Sequence, residues 1–367
     1  MIFRNFLANI RQLDWGIIVS VLILCAFGLE AIYSTSFLSG NFLNFKKQLI
    51  FIAIGFLAMI IMSFFDWRFF KSHSSIIIIL YFICLALLGG LFFFKAHRGI
   101  KSWYDLGFFY FNPIELLKIV LIILLAKYFS KRHAEMYNAA HVVISGLYVA
   151  VPCALIFFQP DLGSVMIIIA LWLGVLFVSG IKPQHLLALI LVGAISISLG
   201  WSFGLRDYQR QRIISFANPQ ADALKTGWNQ NQAEIAIGSG GWFGKGIGNG
   251  SQGQLGFLPE PQTDFIFCVI AEEMGLIGVI VLLSAFLYFV GRIISIALHA
   301  PDNFSRLFAA GFCISICAQA LINLAMNVRL FPIVGIPLPL VSYGGSNLIF
   351  TFAAIGILQS IKANEIR

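Results

Sequence analysis

About ten stretches of this chain stay apolar for roughly 17 to 25 residues, and that length limits its fold more than any other feature. They begin near Trp15, Gln48, Ser75, Pro113, His141, Gly163, His185, Phe265, Leu307 and Ser346. Lipid offers peptide groups no water, so a crossing segment must close its hydrogen bonds within a helix or around a barrel. Barrel strands alternate apolar and polar residues, and these runs do not. The predicted fold is an all-α integral membrane protein of about ten transmembrane helices. Composition agrees, with 59% hydrophobic and 11% charged among 367 residues, against roughly 25% charged in a soluble domain.

The first run follows Arg4 and Arg11 but contains Glu30 and no convincing cleavage site, so it reads as a retained helix rather than a removed signal peptide. Six cysteines lie scattered in apolar segments without CxxC or a His/Cys cluster, which implies neither disulfides nor zinc. A net charge of +8 is spread over loops on both sides. A membrane surface with anionic lipid is therefore the expected partner, not nucleic acid. Short loops on one side, including Arg68, Lys71, Lys127, Lys131, Arg132, Lys182, Arg292 and Arg306, carry about twice the cations of the other, which places both termini in the cytoplasm. Residues 1–367 then form a single polytopic domain, with one large extracytoplasmic loop at about 205–263, between helices seven and eight.

That topology brings four polar segments to the outer face: Asn112 to Lys118, Gln159 to Ser164, the long loop ending at Asp264, and Pro337 to Asn347. The stretch GQLGFLPEPQTDFIF, Gly253 to Phe267, follows a glycine-rich approach and delivers Asp264 to the first turn of a long apolar helix. A carboxylate there is favoured by the helix dipole at about 0.3 to 1 kcal/mol, which is one reason for it. Catalysis is the other, since Glu260 lies four residues earlier and neighbouring carboxylates raise one another's proton affinity.

Asn112, Pro113 and Glu115 make a helix start with a capping box. Lys118 is either a snorkelling lysine or the partner of Glu115, lining an outer cavity. Asp161 caps the next helix or adds to that cavity. Glu272 and Glu273, two turns below Asp264, are buried hydrogen-bonding groups or a relay. Arg206, Arg210, Arg212, Lys225 and Lys245 are solvated surface charge or a clamp for phosphate. The run VSYGGSN, with Ser342 and Gly344, serves close helix approach or ligand contact. GKGIGNG, Gly244 to Gly250, lacks the strand and βαβ unit that a nucleotide site needs.

Five blocks, NPIELLK (Asn112 to Lys118), QPDLGS (Gln159 to Ser164), AEIAIGSGG (Ala233 to Gly241), QLGFLPEPQTDFIF with AEEMGLIG (Gln254 to Gly278) and PLPLVSYGGSN (Pro337 to Asn347), resemble in order those of the SEDS family of cell-shape, division and sporulation proteins, more closely its RodA branch. The resemblance implies a ten-helix polymerase of the bacterial inner membrane that joins lipid II into peptidoglycan glycan strands. It also implies work beside a class B penicillin-binding protein in the elongation machinery. Asp264 matches the family's essential aspartate, and Glu115, Lys118 and Asp161 match its other polar positions. The chain departs from the family pattern at Asn112 and Ile114, and at Ser102, where the family often has arginine and this chain has Lys101 and Arg98 nearby. GIGNGSQ, Gly246 to Gln252, has some flavour of the division (FtsW-like) branch.

A glycosyl diphosphate carries its own leaving group, so one base and several cations suffice, whereas hydrolysis usually needs two matched carboxyls. The expected base is Asp264, acting on the acceptor hydroxyl. Lys118, Glu115, Asp161, Glu260, Arg210, Ser342 and Gly344 are expected around the substrate, with Lys118 first against the undecaprenyl diphosphate. No dedicated metal cage is visible, and a divalent cation, Mg2+ or Mn2+, on the phosphates is compatible with the chemistry. A lipid II flippase is the rival reading, although the chain shows no inverted repeat, and a scaffold would need no charges inside the membrane.

Overall fold

The structure, a computed structural model, describes residues 12–38, 40–94, 102–107, 109–132, 138–205, 207–217 and 226–365. Arg4, Arg11, Arg98, Lys101, Arg206 and Lys225 lie outside the described residues. The long helices are α1 (Trp15–Phe37), α2 (Leu43–Phe64), α3 (Ser74–Gly90), α4 (Pro113–Ser130), α5 (Ala139–Phe158), α6 (Leu162–Val178) and α7 (Pro183–Leu199). After α7 come α8 (Asp207–Ala217) and α9 (Thr226–Ser239), then α10 (Ile266–Leu298), α11 (Asn303–Asn327) and α12 (Gly345–Glu365). Among the described residues, eight helices are long and apolar enough to cross a bilayer. The shorter α6 and the charge-bearing α4, with Glu115, Lys118 and Lys127, complete the expected bundle. The one described sheet is a two-residue pairing of Tyr104–Asp105 with Tyr110–Phe111.

Helix starts follow local chemistry. Asp14 caps α1, Asn112 caps α4 with Pro113 at the first position, Asp161 caps α6 and Asp302 caps α11, each side chain accepting from a backbone N–H that the helix itself leaves unpaired. The capping box expected at α4 is replaced. The Asn112 N–H donates to Ser346 Oγ at 3.0 Å, and Glu115 turns to other partners. The α2 helix begins at Leu43, ahead of the apolar run, because Asn44 and Gln48 spend their polarity on partners: Asn44 on Gln262 at 2.7 Å and Gln48 on the Ser342 carbonyl at 3.2 Å. α12 lies along α2, with Gly345 against Phe51 and Gly55 against Phe352, the close approach that small residues permit between helices in lipid.

The sequence reads α10 as one unbroken helix, and the structure divides it. Gly275 has φ 65° and ψ −164°, so Ile266–Met274 and Leu276–Leu298 are separate helical pieces. The peptide groups freed at the break are taken by the glycine-rich segment. Lys245 N and Gly246 N donate to the Glu272 and Glu273 carbonyls at 3.0 Å, while Leu276 N and Ile277 N donate to the Gly241 and Trp242 carbonyls at 2.9 and 3.2 Å. This contact requires glycine, because a side chain on Gly240 or Gly244 would overlap the α10 backbone. Irregular backbone at membrane depth is tolerated only where protein satisfies it.

Candidate active site

Asp264 stands in the turn before α10 rather than in its first turn, two residues ahead of Ile266. Its main chain is fixed from below. The Asp264 carbonyl accepts from the side-chain amides of Asn323 and Asn327, at 3.0 Å each. The Asn323 amide also donates to the Ile336 carbonyl at 2.7 Å. Glu260 shapes the same turn through its backbone: it holds φ 50°, and its carbonyl accepts from Thr263 N and Phe265 N at 3.2 and 3.4 Å. The Asp264 carboxyl lies beside Gly335, where a methyl group would come within 3.6 Å of Oδ2. At φ 78° this position favours glycine on backbone grounds too.

The segment after α11 reaches the second polar group. Gln319 donates to the Pro337 carbonyl at 3.0 Å and accepts from Lys118 Nζ at 3.1 Å. Lys118 is buried and forms an ion pair with Glu115 at 2.7 Å, and Glu115 also accepts from Asn347 Nδ2 at 3.0 Å. The pair expected from the three-residue spacing therefore forms. Through the consecutive carbonyls of Ile336 and Pro337, the pair and Asp264 hang on one piece of chain.

Asp161 caps α6, accepting from Ser164 N at 3.0 Å and Ser164 Oγ at 2.8 Å, and it also accepts from Ser102 Oγ at 3.3 Å. Burial pushes its carboxyl above the ordinary range against those hydrogen bonds, and the charge of Glu115 adds to the rise. Ser342 and Gly344 act through the protein. Ser342 Oγ donates to the Thr263 carbonyl at 2.6 Å and accepts from Leu338 N at 2.8 Å, and Gly344 N donates to Gln48 at 3.4 Å. Tyr343 N donates to the Gln262 carbonyl at 2.8 Å, so VSYGGSN fastens the turn that carries Asp264.

Arg210 donates to the Ser202 carbonyl at 3.1 Å, at the far end of α7. The arginine that reaches the Asp264 neighbourhood is Arg212, donating to the Ile333 carbonyl at 3.2 Å. Glu272 is fully buried and accepts from Lys245 Nζ at 2.7 Å, Ser251 Oγ at 3.1 Å and the N–H groups of Gln252 and Gly253. Glu273 accepts from Ser34 Oγ. The Glu272 carboxylate thus clamps the glycine-rich segment, while Glu273 ties α10 to α1. Gln319, Asn323 and Asn327 escaped the sequence reading, although four-residue spacing puts three amides on one face of an apolar helix, a signal that was available.

Among the described residues no group of three or more His, Cys, Asp or Glu side chains is placed to hold a metal ion. Glu115 and Asp161 are already taken by protein donors. The arrangement joins a carboxylate on a rigid turn to a buried cation held by exchangeable partners. Such a site can accept a proton and receive an anion.

The model for the FtsW, RodA and SpoVE cell cycle proteins matches residues 14–366. The chain belongs to this family. Among FtsW/RodA/SpoVE relatives, the peptidoglycan glycosyltransferase MrdB of Escherichia coli K12 is 38% identical over 315 residues, covering 86% of this chain and 84% of its own. Stage V sporulation protein E of Bacillus subtilis 168 is 33% identical over 359 residues, covering 95% and 96%. Among solved structures, a chain from a peptidoglycan synthase complex that coordinates polymerization and crosslinking superposes with a TM-score of 0.81 at 27% identity, covering 97% of this chain and 99% of its own. The rod shape determining protein RodA of Thermus thermophilus gives 0.71 at 27%, covering 97% and 98%. The helical membrane fold expected from the sequence is shared with the solved RodA structures.

Proposed function

We infer that this chain is a peptidoglycan glycosyltransferase that polymerises lipid II, with Asp264 as general base. The observation that carries this is the double amide clamp on the Asp264 carbonyl, which holds one carboxylate in place while Asn323 and Gln319 tie it to the segment that meets Lys118. Relatives named peptidoglycan glycosyltransferases support the activity. The higher identity to MrdB than to the FtsW and sporulation relatives supports a role in elongation. The neighbour from a polymerising and crosslinking complex supports a class B penicillin-binding protein as partner. Cations on Arg68, Lys71, Lys131, Arg132 and Lys182 support cytoplasmic termini in the inner membrane, with Asp264 facing outward.

Asp264 takes the proton of the acceptor sugar hydroxyl as that oxygen bonds to the donor's anomeric carbon. The bond to the diphosphate breaks with its electrons on the leaving oxygen, Lys118 neutralises that charge, and the anomeric centre inverts. Arg212, tied to the segment beside Asp264 through the Ile333 carbonyl, joins Arg210 as a candidate second phosphate contact.

A general base contributes roughly 10²- to 10⁴-fold, about 3 to 5 kcal/mol of barrier. Purified Asp264→Asn protein should lose at least that much glycan synthesis from lipid II while keeping its thermal transition. Polymerisation at the native rate would refute the assignment.

A further inference from the structure

Two of the largest side chains of the glycine-rich segment have no protein to cover them. Trp242 is 67% exposed and Phe243 is 82% exposed, although the backbone on either side of them is fixed by hydrogen bonds to α10. Their height in the membrane follows from those bonds. The Trp242 carbonyl accepts from Ile277 N, and Leu276 begins the piece of α10 that runs without a break to Leu298. At 1.5 Å per residue this piece spans roughly 34 Å, close to the thickness of a bilayer's hydrocarbon. Leu276 and Ile277 therefore sit at the membrane boundary on the Asp264 side. Both are substantially exposed, as is Ile280 one turn on. On a helix that crosses a bilayer, such apolar side chains face lipid, and the backbone bonds of Gly241 and Trp242 to Leu276 and Ile277 set the exposed Trp242 and Phe243 at the level of its rim.

We propose that Trp242 and Phe243 form an interfacial wedge that seats the glycine-rich segment in the lipid leaflet on the Asp264 side. Tryptophan suits this depth, because its ring is apolar and its N–H meets the headgroup zone. The occupant of the surface is the bilayer itself, since the patch stands at the level of the lipid-facing rim of α10. The same segment is clamped to Glu272 and Glu273 and leads through the next turns to Asp264. The wedge thus sets the depth of the chain entering the site.

The test uses full-length protein in phosphatidylcholine–phosphatidylglycerol vesicles, with the emission of Trp242 obtained by subtracting the spectrum of the Trp242→Phe variant. Lipids brominated near the carbonyl end of their chains should quench that difference signal about twofold, more than lipids brominated near the chain terminus, with little effect of aqueous iodide. Phe243→Trp in the Trp242→Phe background moves the probe by one residue and should give the same ordering. Dominant quenching by iodide would place the residues in water and overturn the proposal. So would indifference to both quenchers, which would mean cover by a second copy or by other protein.

Discussion

At the end of the bundle where α1 begins, Asp14 takes Arg292 in a two-pronged ion pair at 2.5 and 3.2 Å and exchanges two hydrogen bonds with Gln359 of α12, while Lys71 pairs with Asp302 and Trp67 stacks on Phe304. At the Asp264 end, helices stop or break early, and neutral groups close their ends: amides on the Asp264 carbonyl, peptide N–H groups on the Glu272 and Glu273 carbonyls, a serine on Thr263. One end uses charge for architecture. The other builds mostly with amides and glycine, the Lys245–Glu272 pair apart, and gathers Asp264, Lys118 and Glu115 around one segment. At the Asp264 turn itself the irregular backbone is secured by neutral amides and a serine, which add no full charge beside a carboxylate.

Three substitutions probe that contrast beyond Asp264 itself, in decreasing order of effect. Glu272→Ala removes the acceptor shared by Lys245, Ser251 and two peptide N–H groups, and should cost about 3 kcal/mol or more. Thermal unfolding in detergent would show it, and an unchanged transition would mean that the segment is held by its backbone bonds alone. Asn323→Ala removes one amide from the Ile336 carbonyl and one of the two amides on the Asp264 carbonyl. A loss of about 1 to 3 kcal/mol is expected, with a fall in polymerisation larger than the fall in folded fraction. Equal losses of both would reduce Asn323 to a purely structural residue.

The smallest effect belongs to the charged end. Burial alone raises the Asp302 carboxyl, but the hydrogen bonds from Lys71 and Ser305 outweigh it and hold the group below its ordinary range. A carboxyl lowered in the folded state stabilises at pH values above the unfolded range and ceases to do so as the pH falls through the folded value. Lys71→Met should therefore cost no more than about 1 kcal/mol near neutrality and flatten the decline of melting temperature below about pH 4. A larger loss at neutral pH would erase the distinction between the two ends.

Much of this was legible in the residues. Apolar length alone located the helices, and the starts predicted at Trp15, Ser75, Pro113, Gly163 and Ser346 fall within a residue of those observed. The Glu115–Lys118 pair followed from helical spacing. The break at Gly275 was invisible to hydropathy, which sees side chains and not the backbone partner arriving from residues 241–246. Arg212 and Arg210 stand two residues apart on α8, and only the fold decides which one meets the Ile333 carbonyl. The amides on α11 were missed by mean hydropathy, which a stripe of three polar residues scarcely lowers in a 25-residue apolar helix, although their four-residue spacing was there to be read.

The Glu115–Lys118 pair has one further consequence. Under the role proposed for Lys118, a diphosphate that draws the lysine away would leave Glu115 with its Asn347 bond, and the two ions would close on each other again once the anion departs. On that reading the bundle would keep a returnable counter-ion of its own, and each turnover would end by restoring the resting pair from within.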